Sequence, residues 1–263
     1  MLRRVACLLL CTLAVIPFCQ GSEERAGDAG ALVQEAAAAE RSGNVETALA
    51  LYRRADAAKP DDAAILQKIS KQLSDSISDS LPLERKLQLA REALAVAERA
   101  LTLAPEAPAC VLSVAVCHGK LALLSPARER IEHARLVREH AERALQLDPR
   151  YDWAHHVLGR WHCELAQIAG PKRAMARLLY APIPKGTCRE GLAHLEKAVE
   201  IAPECAAHRL ELGAALYACG DRAEAKKHLL DGLQLPSRER QDHLSKVRAR
   251  AILELMARNA PPS

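Results

Sequence analysis

Apolar residues recur along most of this chain at three- and four-residue spacing and almost nowhere in strict alternation, which predicts amphipathic helices rather than strands. Four of these helical stretches end alike, running to Pro60, Pro105, Pro149 and Pro203. Five residues before each proline stands an alanine: Ala55, Ala100, Ala144 and Ala198. An alanine lets a neighbouring helix come close, and the proline then stops the helix. Ten residues beyond each proline the chain carries Ser70, Ala115, Gly159 and Gly213, again small, each preceded by an apolar residue, Ile69, Val114, Leu158 or Leu212. A small residue beside an apolar one on a first helix, then alanine and proline on a second, is the contact pattern of stacked helical hairpins.

These residues resemble tetratricopeptide repeats, whose unit is a helix-turn-helix of about 34 residues. Five units fit, at roughly 31–60, 63–105, 108–149, 152–203 and 206–236. Gly43-Asn44 and Gly220-Asp221 fall where the turn inside the first and fifth units belongs. The three middle units are stretched, which predicts insertions around 74–82, 123–131 and 168–187. In the fifth, Asp231 stands where alanine is expected before Pro236. Residues 237–258 place Leu244, Val247, Ala251 and Leu255 at helical spacing and read as a closing helix that covers the end of the stack. The fold class expected is all-α: a tetratricopeptide-like helical-hairpin solenoid of about five repeats with insertions and a C-terminal capping helix, over 31–258.

Composition supports this and narrows the partners. Aromatic residues make up 3% of the chain against 49% hydrophobic, so the core must be closely spaced helices packed through alanine and leucine. Lys and Arg number 37 against 33 Asp and Glu, and Arg3 and Arg4 belong to a leader-like segment, so the rest is nearly neutral and argues against nucleic-acid binding. In that segment an uncharged apolar run, 5–18, precedes Cys19-Gln20-Gly21, the pattern of an export signal over 1–21. As a helix the run is about 21 Å long, short of the roughly 30 Å hydrocarbon core of a bilayer, so a retained membrane anchor or a mitochondrial presequence is the alternative. Residues 22–30 are expected to be a linker and 259–263 a flexible tail. Outside the leader lie Cys110, Cys117, Cys163, Cys188, Cys205 and Cys219. With no C-x-x-C among them, the expectation is buried free thiols rather than a disulfide framework or a zinc site.

Catalytic motifs are absent: no G-x-S-x-G, phosphate-cradling glycine loop, H-E-x-x-H or calcium loop occurs. His155, His156, His162 and Cys163, with His118 one repeat earlier, cluster in sequence. His155 and His162 share a helix face about 10 Å apart, too far to hold one metal without a third element, so these histidines read as core, with a metal-dependent enzyme as the lesser alternative. Glu129, Glu132, Glu139 and Glu142 alternate with arginines as a solvated helix face. The long insert joins Lys172, Arg173 and Arg177 to Met175, Leu178, Leu179 and Tyr180 in a short amphipathic stretch, suited to an anionic membrane or a partner and expected to lie flat over the stack.

A narrower resemblance comes from Leu158-Gly159-Arg160-Trp161-His162-Cys163-Glu164-Leu165-Ala166, then Lys172-Arg173, then Ala176-Arg177-Leu178-Leu179-Tyr180-Ala181-Pro182-Ile183-Pro184. That order of helix, basic-hydrophobic insert, Ala-x-Pro turn and further helix resembles the regulator of microtubule dynamics family. The helical stack and the missing catalytic motifs lead to the expectation of a non-catalytic scaffold, to which the resemblance adds microtubule association for eukaryotic relatives and, from a tethering member, lipid binding or transfer. No cofactor is expected. Independently, the repeat register sends Gln67 and Lys71, Leu112, Val116 and Lys120, Trp153, His156 and Arg160, and Leu210, Ala214 and Tyr217 toward the concave surface, where solenoids bind. Its apolar members suit a peptide, a helix or an acyl chain, with Trp153, Arg160 and Tyr217 as anchors, while Lys71, Lys120 and Arg160 favour a carboxylate or phosphate on it. A protein or peptide ligand is thus the expected partner. A phospholipid, needing a deep apolar cavity lined by Leu112, Val116 and Leu210, is the alternative.

Overall fold

A computed structural model describes residues 20–258 except 79, 169 and 239, and among these every regular element is a helix. The leader expected over 1–21 lies outside them but for Gln20 and Gly21, as does the tail 259–263. Helices α1 (Gln20–Arg41) and α2 (Val45–Ala58), α3 (Ala63–Asp75) and α4 (Leu83–Leu103), and α5 (Pro108–Leu124) and α6 (Ala127–Leu147) form three hairpins. Helix α7 (Asp152–Ala166) pairs with α9 (Cys188–Ile201) across the inserted α8 (Gly170–Leu179), and α10 (Ala206–Ala218) pairs with α11 (Arg222–Gln234) before α12 (Arg240–Arg258) closes the stack. Helices α3, α5, α7, α10 and α12 touch in succession and form the inner layer.

The repeated small residues sit at the seams. Ala55, Ala100, Ala144 and Ala198 are fully buried, and the carbonyl of each accepts the last backbone bond of its helix, from Lys59, Ala104, Asp148 and Ala202 at 2.8–3.0 Å. Across the hairpin the bulk is shared out. A Cβ on Gly159 would lie 2.6 Å from Leu195 Cγ and 2.8 Å from the Gly191 carbonyl, and one on Gly213 would lie 2.8 Å from Leu229 Cγ. Where the first helix carries alanine instead, at Ala115, the corresponding residue opposite is the equally buried Ala141. In the fifth unit Gly232 rather than Asp231 is the buried small residue, its hydrogen facing Leu210, so only one residue of the final turn is missing. Gly43 and Gly220 take the positive φ their turns require, 77° and 97°, and Asn44 and Asp221 then cap α2 and α11.

Several expectations need correction. Residues 22–30 are no linker: α1 already runs through them, and Ala29 is buried by the stack. The third unit has no inserted loop at 123–131, because its extra length is taken up by extending α5 and α6 to within two residues of each other. Cys188 and Cys219 form a disulfide that ties the start of α9 to the C-cap of α10, while Cys110, Cys117, Cys163 and Cys205 are free. In α12 the covering face is Asp242, Ser245 and Ala249 with Ile252, Leu253 and Met256, and the expected stripe, Leu244, Val247, Ala251 and Leu255, points outward. Polar contacts fix this rotation: Asp242 accepts from the Ala207 amide at 2.9 Å, and Arg248 pairs with Glu211 at 2.8 Å.

Candidate functional site

The inner layer sorts the expected groove residues by their distance from the preceding proline. The row seven residues on, Leu112, His156 and Leu210, is buried at 4%, 5% and 2% exposure between helices and lines no open surface. It points into the seam because it sits one turn before the small residues that draw the neighbouring helix in. The apolar lining that lipid carriage needs is therefore not offered by these leucines. Gln67, in the same row, stays half-buried and donates to Ser113 Oγ at 3.1 Å. Ala214 is likewise buried, and Tyr217 is drawn to the hairpin end, where the Arg222 guanidinium stands 5.9 Å from its ring.

The row eleven residues on is more open: Lys71, Val116 and Arg160 are half-exposed, while Ala214, the fourth member of the row, is buried. A further row, four residues later, comprises Asp75, Lys120 and Glu164, of which the repeat register singles out only Lys120. The two rows pair along each helix. Lys71 meets Asp75 at 3.2 Å and also Glu40 at 2.7 Å, and Arg160 meets Glu164 at 2.6 Å. In α5 the order is broken, because Val116 stands where a cation would and Lys120 where an acid would. Lys120 consequently makes no hydrogen bond or ion pair among the described residues. Burial pulls its ammonium below lysine's ordinary range, the field of Asp75 works the other way, and Arg160 and Arg240 add to the depression.

At the far end Trp153 is half-exposed over the α7–α10 seam, its ring 4.6 Å from that of the fully buried His208. The histidines that clustered in sequence take partners on other helices: His155 Nδ1 is 2.9 Å from His194 Nδ1, His156 Nδ1 is 3.0 Å from His208 Nδ1, and His118 Nδ1 is 3.2 Å from His133 Nδ1. His208 Nε2 also pairs with Asp152 at 3.0 Å. Sequence spacing gives no hint of these pairs, since the partners lie 15 to 56 residues apart. Among the described residues no three His, Cys, Asp or Glu side chains converge as metal ligands. Two of the acidic residues of α6 pair with its own arginines, Glu132 with Arg135 and Glu142 with Arg138, both at 2.7 Å on the exposed face.

The insert differs most from expectation. Helix α8 buries none of its residues and does not lie flat over the stack. Arg173 is spent inside: its guanidinium donates to the carbonyls of Leu165, Ile168, Ile183 and Pro184, joining the end of α7 to the chain returning toward α9. Lys172 and Arg177 are exposed.

Residues 32–257 match the family model described as Regulator of microtubule dynamics protein 1-3. Regulator of microtubule dynamics protein 1 of Mus musculus is 31% identical over 120 residues, 46% of this chain and 39% of the relative, and that of Bos taurus is 28% identical over 145 residues, 54% and 45%. Regulator of microtubule dynamics protein 3 of Xenopus laevis is 26% identical over 198 residues, 75% of this chain and 43% of the relative. The matched part thus spans less than half the length of each of these relatives. Among solved structures, a thermophilic TPR protein of Thermus thermophilus superposes with a TM-score of 0.64 at 18% identity, covering 86% of this chain and 99% of that one, which shows the TPR-like solenoid.

Proposed function

Because the chain belongs to the regulator of microtubule dynamics family and folds as a TPR-like stack, we propose that it is a scaffold that acts by binding rather than catalysis, taking an acidic protein segment along its concave face. The observation that carries this is Lys120. It is the groove cation without a carboxylate, half-buried between the self-paired Lys71–Asp75 and Arg160–Glu164. An ammonium held partly out of water gains most from an anion brought to it. Val116 beside it and Trp153 farther along offer apolar contact to the same segment. For this chain, association with microtubules follows from the relatives' names and gives one identity for the partner. The leader-like pattern and the Cys188–Cys219 disulfide support an exported protein in an oxidising compartment, which would place its partner there instead.

Calorimetric titration with a panel of acidic and charge-neutral peptides of equal length tests the proposal. Acidic members should bind, and Lys120→Glu should weaken them at least about tenfold, the scale of a lost hydrogen bond to a charged group. Equal binding of neutral peptides, or an unchanged affinity in Lys120→Glu, would refute it.

A further inference from the structure

Surface helices normally turn their apolar stripe inward, but α8 does the opposite. Met175, Leu178 and Leu179 lie on one face at helical spacing and are 60%, 84% and 58% exposed, and Tyr180 just beyond is 52% exposed. The side toward the body carries Arg173, whose four carbonyl contacts hold the helix in place, so the outward apolar face is fixed by structure and not by fraying.

Charge along this arm is one-sided as well. From residue 165 to 189 the chain carries Lys172, Arg173, Arg177, Lys185 and Arg189 and no acid, whereas on α6 every few arginines are answered by a glutamate. Lys172, Arg177, Lys185 and Arg189 are exposed. Among the described residues no helix is long and apolar enough to cross a membrane, so any membrane contact they make is peripheral.

We propose that α8 docks this protein on an anionic phospholipid bilayer, sinking Met175, Leu178 and Leu179 into the interface while Lys172 and Arg177 meet the headgroups. A convex knob whose most exposed residue is a leucine needs a surface that yields around it, which a fluid bilayer provides without a shaped trough. The basic flank matches the negative surface potential of such a bilayer, and the Tyr180 ring suits the headgroup level. The site is separate from the groove and does not depend on what the groove binds.

Co-sedimentation of the full chain with large vesicles tests it. Vesicles of phosphatidylcholine containing phosphatidylserine should carry the protein down, pure phosphatidylcholine vesicles far less, and added salt should reverse the binding. Leu178→Ser with Leu179→Ser, at positions already in water, should leave the melting temperature unchanged and cut binding at least about tenfold. Lys120→Ala should leave vesicle binding intact. No sedimentation with anionic vesicles would overturn the proposal and point to a protein partner on this face; full binding by the double variant would overturn it equally.

Discussion

Reducing the Cys188–Cys219 bridge is expected to lower the melting temperature by roughly 10 °C. The bond closes 31 residues of sequence, and in the chain-entropy account a loop of that size stabilises by about 3.5 kcal/mol, which in a domain of this length corresponds to about 2–4 °C per kcal/mol. Its position makes the loss matter for shape, since it fastens the start of α9, in the fourth hairpin, to the end of α10, in the fifth. Three of the four free thiols are kept out of the measurement by burial. Burial raises the pKa of Cys110 and Cys117 and pushes that of Cys163 up to about 11, so they remain protonated and unreactive. Melting curves with and without dithiothreitol check this. Cys188→Ser with Cys219→Ser should melt low in both, and a wild type indifferent to the reductant would contradict the assignment.

Acidification from pH 7 to pH 5 is expected to cost at least about 3 kcal/mol. Burial, and next the facing rings of His133 and His140 on α6, lower the pKa of His118 to about 4; burial, then His155 and His162 on α7, lower that of His194 likewise, with Glu190 and Glu142 opposing. The unfolded chain takes up these protons near pH 6.5 and the folded chain only near 4. Each histidine therefore removes stability as pH falls through that window, about 2 kcal/mol by pH 5 for the buried His118 and less for the half-exposed His194, where solvent screens the field. His156, held well below its ordinary value by burial and then by His208 and Arg160, acts in the same direction. His208 acts the other way. Burial pulls it down, but its hydrogen bonds to Asp152 and Cys205 raise it to about 9, so its stabilisation is full below 6.5 and fades as pH rises through 9. It returns about 1 kcal/mol on going from pH 7 to 5. Melting curves across this range should fall toward acid, and His118→Phe should flatten part of the fall; a melting temperature level from 7 to 5 would count against the buried pairs.

The hairpin architecture was legible because its signal is local. Alanine five residues before a proline and a small residue ten after it report a seam without knowledge of the partner helix. The same logic misplaced Leu112, His156 and Leu210, because a shift of one helical turn separates the seam from the concavity and no side-chain type marks the difference. Lys120 was recognised, yet its significance lay in Asp75 and Glu164, the neighbouring acids of the same row, which its own helix lacks. The facing of α8 and α12 was hidden for another reason. Arg173, Asp242 and Arg248 set it through contacts to backbone carbonyls, an amide and Glu211 that no periodicity reveals.

The claim under all of this is that neighbouring helices nest where side-chain bulk is missing, and a matched pair of glycine substitutions tests it most directly. Gly119 and Gly159 both lie inside inner-layer helices, but a Cβ on Gly119 would only touch Val137 Cγ2 at 3.9 Å, whereas one on Gly159 would collide with Leu195 and the Gly191 backbone. Thermal melting of Gly119→Ala should show a gain of about 0.5–1 kcal/mol from helix propensity. Gly159→Ala should lose about 2 kcal/mol to overpacking. Two gains, or a Gly159→Ala that melts with the wild type, would mean the helices are not seated against each other at this seam.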